Sequence, residues 1–212
     1  MKHGSTTEMV VPKPEADAIG RWLAVARALG ADPSTEAPAT VLEWARTVID
    51  WRDRAQLTSH RSVAEAVDAL MTPALYAIPH LALDSDSVVV DLGAGSGCTA
   101  VSLCAAMRTG RWVLIDRSET KVTFCRYAIR KCRTEGVEAA TPAAVIAREI
   151  GDAVLARGLP SDGESYRLAA SWCRTDGVII TWDPEPSKDE SRPSVRCGAL
   201  PVWVTASTRR FT

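Results

Sequence analysis

The sequence predicts an α/β protein with a doubly wound, mostly parallel sheet and a helical cap in front of it. After residue 80, short apolar segments rich in β-branched residues alternate with segments of helical period, which is typical of parallel strands joined by crossover helices. Before residue 80 only helical patterns occur. We therefore expect a flexible tail over residues 1–14, a helical cap over 15–80, and a sheet core over 81–212 that forms one structural unit with the cap.

Composition narrows the class of protein. The chain has 212 residues, 46% of them hydrophobic, and a formal net charge of −1. A nearly neutral chain generates no strong global field toward nucleic acid or anionic membrane. No apolar segment is long enough to span a bilayer, and residues 1–20 lack the apolar centre of a secretory signal. We expect a cytoplasmic protein with no membrane contact.

Cysteine and histidine usage favours neither a metal site nor a hydrolase. None of the six cysteines forms a C-x-x-C pair, and four fall in predicted helices, where cysteine behaves as a small apolar residue. A zinc site or a disulfide framework is the less favoured alternative. The three histidines have no obvious catalytic partner. The sequence therefore predicts reduced core thiols and no metal.

Three amphipathic helices are predicted in the cap. They cover Glu15–Leu29, Val41–Trp51 and a third segment that begins after Ser62 as N-cap. Gly30 and Pro33 end the first helix, as a C-cap glycine followed by proline should. Trp22, Trp44 and Trp51 are interpreted as core anchors, with a role in lining a substrate pocket as the alternative.

The core is predicted to alternate strands and helices with right-handed crossovers. The predicted strands are Val88–Leu92, Trp112–Ile115, Val137–Thr141, Asp152–Ala156, Gly177–Trp182 and Pro201–Thr205. The predicted helices are Cys98–Met107, Glu119–Cys132, Pro142–Glu149 and Glu164–Arg174. Residues 183–193, charged and with three prolines, are predicted to form a loop.

The segment that joins the first strand to the first helix of the core is the most informative. After the strand, glycine stands at every second position, at Gly93, Gly95 and Gly97. Glycine is required where backbone turns tightly and approaches a ligand closely. The dinucleotide pattern G-x-G-x-x-G fails, because Cys98 stands where its last glycine would be. This indicates a ligand-binding loop of a different kind.

The carboxylates near this loop indicate which kind of ligand it binds. Asp91, near the strand end, would repel a pyrophosphate but attract an ammonium group, and Asp116, after the next strand, suits ribose hydroxyls. S-adenosylmethionine carries both groups. We predict that it binds to Asp91, Gly93, Ala94, Gly95, Gly97, Asp116 and Arg117. Another nucleotide or a purely structural glycine turn is the alternative.

The acceptor is expected at the same edge, because ligands of such sheets bind beyond the carboxyl ends of the strands. Arg157 follows the fourth predicted strand there and is the candidate for holding an anionic or electron-rich acceptor. A helix-capping role or a surface ion pair is equally favoured. The basic side of the 119–132 helix is interpreted as a solvated face in preference to a nucleic-acid contact.

From about residue 41 to 182 the chain resembles the small-subunit (16S) rRNA methyltransferase G family, also called glucose-inhibited division protein B. The segments that carry the resemblance are Trp51–Thr58, similar to W-N-x-x-x-N-L-T, the 91–97 loop, Asp116–Phe124, Asp152–Gly158 and Ser171–Cys173. The resemblance implies a Rossmann-like class I methyltransferase that uses S-adenosylmethionine to methylate N7 of a guanine in the 16S rRNA of the 30S subunit.

The chain also departs from the family, which leaves the acceptor open. The segment 98–100 replaces F-P-G or L-P-G, Val122 replaces a basic residue, Arg52 replaces asparagine, and 183–185 replaces K-G. A small-molecule methyltransferase derived from the family is therefore the alternative to an rRNA enzyme. A non-catalytic interaction module is a third, less favoured interpretation.

Overall fold

A computed structural model describes residues 11–145, 150–158, 163–183, 194–197 and 203–208 of the chain. Its strands are β1 (Val88–Leu92), β2 (Arg111–Ile115), β3 (Val137–Ala140), β4 (Gly151–Arg157), β5 (Cys173–Asp183), β6 (Ser194–Arg196) and β7 (Trp203–Thr208). Its α-helices are α1 (Lys13–Ala28), α2 (Ala37–Ala55), α3 (Val63–Ala66), α4 (Cys98–Met107), α5 (Glu119–Cys132) and α6 (Gly163–Ala170). A short 3₁₀ turn covers Pro142–Ala144.

The seven strands form one sheet in the order β3-β2-β1-β4-β5-β7-β6. Strands β3, β2, β1, β4 and β5 are parallel, whereas β7 is antiparallel to both β5 and β6. Strand order therefore reverses between β1 and β4, and a crevice is expected at that switch point. The predicted α/β, mostly parallel fold is confirmed.

The two faces of the sheet bury different helices. On one face the cap and helices α4 and α5 enclose a large core, in which Trp22 and Trp44 are fully buried. Trp51 is half-buried and packs against the same core. The core on the second face is smaller and includes Trp172 and Ile179. The prediction that the three cap tryptophans anchor a core is confirmed.

An irregular helix follows α3 and joins the cap to the sheet. It consists of a π-helical segment, Val67–Met71, and a 3₁₀ segment, Thr72–His80. Ser62 caps the start of α3, which precedes this helix, through a capping box with Glu65, so the predicted N-cap is confirmed. Departure from α-helical hydrogen bonding frees backbone carbonyls, and these must find other partners when buried.

Those carbonyls are taken by side chains from distant elements. Ser102 of α4 donates to Met71 O at 2.8 Å, and its hydroxyl oxygen accepts a hydrogen bond from Trp22 Nε1, also at 2.8 Å. Trp182 of β5 donates from its indole nitrogen to Pro73 O at 3.1 Å. These contacts attach the irregular helix to α1, α4 and the sheet at once.

Several predicted elements match and some need correction. Strand β1 and helices α4 and α5 have the predicted bounds. The helix predicted to reach Arg174 ends at Ala170, because Arg174 lies in β5 and forms an ion pair with Asp152 of the adjacent strand at 2.5 Å. Strand β6 was not predicted. Residues 146–149, in the predicted third helix, and 184–193, in the predicted loop, lie outside the described residues.

In the described part of the chain, all six cysteines are free thiols. None of the helices there combines the length and the apolar composition that a membrane span needs. The division into tail, cap and core stays a prediction, although α1 begins at Lys13, close to the predicted start of the cap.

Candidate cofactor and acceptor site

The carboxyl ends of β1, β2 and β4 bring most of the predicted site residues to one edge of the sheet. Asp91 in β1 is level with Leu114 of β2 and Leu155 of β4. Asp116 follows the last residue of β2, and Arg157 is the last residue of β4. The glycine loop continues directly from β1 over the same edge. The sequence-predicted residues therefore surround the switch point of the sheet.

The glycine loop is held against β2 by backbone hydrogen bonds. Gly93 and Ala94 both donate from their amides to Ile115 O, at 2.8 and 3.0 Å. Gly93, Gly95 and Gly97 all have positive φ, of +73°, +55° and +67°, where a side chain would be strained. The loop turns through a left-handed path that side-chain-bearing residues rarely adopt.

Gly95 and Gly97 are needed for different reasons. A Cβ on Gly97 would lie 2.8 Å from both Leu114 Cδ2 and Trp44 Cζ2, so the core leaves no room for a side chain at this position. Among the described residues, a Cβ on Gly95 would meet only Gly93 O, at 3.8 Å. The backbone at Gly95 is therefore open on the side where a ligand can approach, whereas Gly97 is required for packing.

Asp116 joins the glycine loop to the start of α5. Its Oδ2 accepts a hydrogen bond from Gly95 N, and its Oδ1 accepts one from Ser118 N, both at 2.9 Å. The side chain is largely buried. A carboxylate has about four lone-pair positions, so two remain for hydroxyl donors such as those of a ribose. Arg117, the next residue, is exposed.

Asp91 is a buried carboxyl at the first turn of α4. It is 2% exposed, and its Oδ2 accepts a hydrogen bond from Ala100 N at 3.3 Å. Gly97, the N-cap of α4, has no side chain that could cap the helix, so Asp91 performs this role from the strand. Burial raises the pKa of Asp91 to about 7, against the lowering effects of the Ala100 amide and of Arg157. A cation beside Asp91 would favour its ionised form.

Arg157 lies between the strand ends and the irregular helix. Its guanidinium donates to Ala69 O at 2.7 Å and also to Leu70 O. Burial lowers its pKa, and the nearby thiol groups of Cys98 and Cys197 act in the opposite direction. Both carbonyls lie within the irregular helix, so the guanidinium ties the end of β4 to this helix. Its role toward an acceptor stays a prediction.

Trp44 was predicted as a core anchor, with lining of a substrate pocket as the alternative, and the structure shows that it also positions the loop. Its indole nitrogen donates to Ser96 O at 2.9 Å, and its ring fills the space beside Gly97. The helical spacing of Trp44 in α2 predicts burial, but nothing in the sequence indicates its partner 52 residues away. A cap helix therefore sets the shape of the cofactor loop.

These groups fit S-adenosylmethionine. The open Gly95 backbone allows close approach, Asp116 has acceptor capacity for ribose hydroxyls, and the buried Asp91 offers a carboxyl to an ammonium group. The same carboxyl would repel the pyrophosphate of a dinucleotide. When bound, the cofactor would supply a methyl group on a sulfonium centre.

Comparison with known proteins agrees with this site. The family model of GidB, described as rRNA small subunit methyltransferase G, matches residues 39–195. The chain is 23% identical over 193 residues to the ribosomal RNA small subunit methyltransferase G of Nitratidesulfovibrio vulgaris, covering 84% of this chain and 88% of that protein. The protein of the same name from Methylococcus capsulatus is 25% identical over 188 residues, with 86% of each chain covered.

A solved structure shows the same fold. An RNA methyltransferase from Salinibacter ruber, in complex with S-adenosyl-L-homocysteine, superposes with a TM-score of 0.54 at 16% identity, covering 66% of this chain and 91% of that chain. The predicted methyltransferase class and its methyl donor, S-adenosylmethionine, are confirmed. The family model covers most of the chain, from α2 to β6, and the chain belongs to the rRNA small subunit methyltransferase G family.

Proposed function

We propose that this chain transfers the methyl group of S-adenosylmethionine to N7 of a guanine in 16S rRNA, in the cytoplasm. The observation that carries the proposal is the extent of the family match. It begins at residue 39 in α2 and ends at residue 195, so it includes the cap helix that holds the glycine loop and the strands on the acceptor side. A match to the cofactor loop alone would have supported any methyltransferase.

The chemistry of this acceptor suits the residues at the cleft. Guanine N7 already carries its lone pair, so the transfer needs no general base, and the protein has to hold the reacting groups in line and limit water. Asp116 would hold the ribose and Asp91 the ammonium group of the cofactor. Both side chains are buried, which strengthens their interactions with a bound cation or hydroxyl.

His80 lies away from this cleft. It lines a cavity together with Asp84, Asp152 and Arg174, near the amino ends of β1 and β4. Burial lowers its pKa. A hydroxyl or ammonium acceptor would need a base within hydrogen-bond reach, and His80 is at the opposite edge of the sheet for that role.

A small-molecule acceptor is the second candidate, and the departures from the family motifs favour it. Two of those departures lie in the core. Cys98, Thr99 and Ala100 are buried in the first turn of α4, and Val122 is buried in α5. They change the packing beneath the loop and supply no exposed contact to an acceptor. The structure therefore removes part of the reason for preferring a small molecule.

The test is methyl transfer to 30S subunits purified from a strain that lacks the modification. We expect incorporation of labelled methyl from S-adenosylmethionine, and 7-methylguanosine as the modified nucleoside on digestion and mass spectrometry. Subunits that already carry the modification are the matched control and should accept no label. If the protein binds S-adenosylmethionine but labels neither preparation, the rRNA proposal fails and the small-molecule candidate takes its place.

A further inference from the structure

An exposed aromatic and basic surface lies on the flank of α2 and α5, outside the cofactor site. We call it the α2–α5 patch, and it consists of the half-buried Trp51 and the exposed Arg54, Tyr127 and Arg130. We propose that this patch binds the single-stranded RNA that adjoins the methylated guanine. The inference rests on the proposed function, because it names the surface that would hold the rRNA substrate outside the cleft.

The aromatic part of the patch is held in a fixed geometry. Tyr127 is 36% exposed, and its ring lies against Trp51 with a centroid distance of 5.0 Å and an angle of 31°. Trp51 in turn contacts the buried ring of Phe124 at 5.8 Å, and the Arg54 guanidinium lies 6.0 Å from the Trp51 centroid. An exposed ring that its neighbours hold in place is a platform on which a nucleic-acid base can stack at little entropic cost.

Helix α5 supplies most of the positive charge near these rings. Between Arg117 and Arg133 the sequence has six basic side chains and one acidic side chain, in a chain whose formal net charge is −1. Of the acids beside the patch, Glu43 pairs with Lys131 at 2.9 Å and Asp53 pairs with Arg52 at 3.2 Å, whereas Asp50 has no ion-pair partner among the described residues. Within the part of the chain that the structure describes, neither Arg54 nor Arg130 has an ion-pair partner. Both are exposed and available to phosphate groups.

The patch is linked to the cofactor site through the core. Phe124 contacts Trp44 edge to face, with centroids 6.3 Å apart, and Trp44 donates its indole hydrogen bond to Ser96 O in the glycine loop. A row of four rings therefore leads from the loop to the exposed Tyr127. Helix α5 also begins beside the cleft, since Ser118 N donates to Asp116. Helix α5 therefore leads from the cleft to the patch, and the buried rings of Trp44 and Phe124 fix the position of Tyr127 relative to the loop.

The alternation of rings and guanidinium groups fits RNA better than other anionic partners. A single strand presents flat bases and a phosphate at each nucleotide, which match the exposed ring of Tyr127, held against Trp51, and the arginines beside it. A membrane surface would offer charge but no bases. An acidic peptide would satisfy the arginines and leave the exposed tyrosine ring without a flat partner.

The experiment uses the full-length protein and a labelled single-stranded RNA of about 20 nucleotides and mixed sequence, with affinity measured by anisotropy between 50 and 200 mM KCl. Tyr127→Ala should weaken binding at least fivefold, in the range for loss of one stacked base. Tyr127→Phe keeps the ring and should bind as the wild type does. The double variant Arg54→Gln/Arg130→Gln should lower the slope of log K against log salt by about 0.7 for each phosphate that it no longer neutralises.

A matched control separates the patch from charge in general. Arg27 and Arg167 are exposed arginines on α1 and α6, so Arg27→Gln/Arg167→Gln removes the same charge elsewhere. The control should keep the affinity and slope of the wild type. Methylation of 30S subunits by the patch variants should fall in parallel with RNA binding, while their S-adenosylmethionine affinity stays unchanged.

The outcomes distinguish this inference from the proposed function. If the wild type methylates 30S subunits and the patch variants match the control in RNA affinity, the patch is not the RNA surface and the rRNA function stands. If the wild type neither binds the RNA nor methylates 30S subunits, the proposed function fails and this inference fails with it. Weaker binding in both patch variants, with Tyr127→Phe unaffected, supports the inference.

Discussion

The cofactor edge and the irregular helix of the cap are stabilised by different kinds of hydrogen bond. At the cofactor edge, the glycine loop is fixed by backbone amides of Gly93, Ala94 and Gly95, whose acceptors lie at the end of the adjacent strand. In the irregular helix, freed carbonyls are taken by the side chains of Arg157, Ser102 and Trp182. The first arrangement uses few side chains, and the second depends on them.

The two regions also differ in how well their buried polar groups are satisfied. The carbonyls of Met71 and Pro73 in the irregular helix have partners that come with the fold. Asp91 at the cofactor edge is buried, and within the described part of the chain it accepts one weak hydrogen bond, from Ala100 N; burial raises its pKa to about 7. The cap is therefore arranged for stability, whereas the cofactor edge keeps a group whose best partner would be a ligand.

The largest expected effect tests this contrast through the pH dependence of stability. The pKa of Asp91 in the folded chain is raised above its ordinary value of 3.8, so the folded state binds the proton more tightly. Proton binding by Asp91 therefore stabilises the folded state. This stabilisation is complete below about pH 4, is lost as the pH rises to about 7, and amounts to a change in unfolding free energy on the order of 4 kcal/mol. In Asp91→Asn, the free energy of unfolding from urea titrations should lose this component of its pH dependence.

Asp84→Asn is the matched control for that measurement. Hydrogen bonds from Ser87 and Asp86 lower the pKa of Asp84, which lies before β1 at the other end of the strand. Its contribution has the opposite sign, since it is present above the unfolded pKa and is lost as the pH falls through the folded value. If Asp91→Asn and wild type differ by the same amount at pH 5 and pH 8, the buried carboxyl does not titrate as the structure implies.

The next effect concerns the glycine loop, where two neighbouring glycines should respond differently. Gly97→Ala places a methyl group 2.8 Å from Leu114 and Trp44 at a φ of +67°, and overpacking together with left-handed strain should cost roughly 3–4 kcal/mol of unfolding free energy. Gly95→Ala meets no close atom and should cost about 1 kcal/mol. Chemical denaturation of both variants checks the difference.

Cofactor binding should show the reverse order for variants that remain folded. The added methyl group of Gly95→Ala lies on the open side of the loop, so this variant should lose more S-adenosylmethionine affinity in calorimetry than Gly97→Ala does. Equal stability of the two alanine variants would show that the core does not close around position 97. An unchanged affinity in Gly95→Ala would show that the open side does not face the cofactor.

The third prediction concerns the irregular helix. Ser102→Ala removes a fully buried hydroxyl that accepts from Trp22 Nε1 and donates to Met71 O, so both groups lose a partner, at a cost of roughly 2–3 kcal/mol. A double-mutant cycle with Trp22→Phe should show a coupling energy above about 0.5 kcal/mol. S-adenosylmethionine affinity should stay within twofold of wild type, because this bridge does not touch the loop. Strict additivity in the cycle would contradict the bridge.

Local signals explain which parts of the molecule could be predicted. The bounds of β1, α4 and α5 follow from the β-branched run before Asp91, the glycines that end at Gly97 and the turn at Ser118. The predicted site residues Asp91 and Asp116 lie at the same edge of the sheet because β1 and β2 are adjacent parallel strands, whose carboxyl ends point the same way. Each of these inferences uses only residues that are close together in the sequence, or the recognition of a strand from its local pattern.

The parts that could not be predicted depend on contacts between distant segments. The π-helical segment Val67–Met71 has carbonyls bound by Arg157, which is almost 90 residues away, and no local pattern indicates that pairing. Arg174 carries a helical pattern but pairs across strands with Asp152, so sheet pairing overrides local propensity. Trp44 was recognised as a core residue, but its bond to the glycine loop was not.

The smallest expected effect returns to the cofactor edge and asks whether Asp116 serves the ligand or only the loop. Asp116→Ala removes the acceptor of Gly95 N and Ser118 N and the proposed acceptor of the ribose hydroxyls. We expect S-adenosylmethionine affinity to fall by roughly 1–2 kcal/mol in calorimetry, the range for losing hydrogen bonds to a charged group. Asp116→Asn keeps one carbonyl oxygen that can accept from Gly95 N, so it should retain the loop. If Asn restores stability but not affinity, the carboxylate acts on the ligand, whereas recovery of both would assign Asp116 to the loop alone.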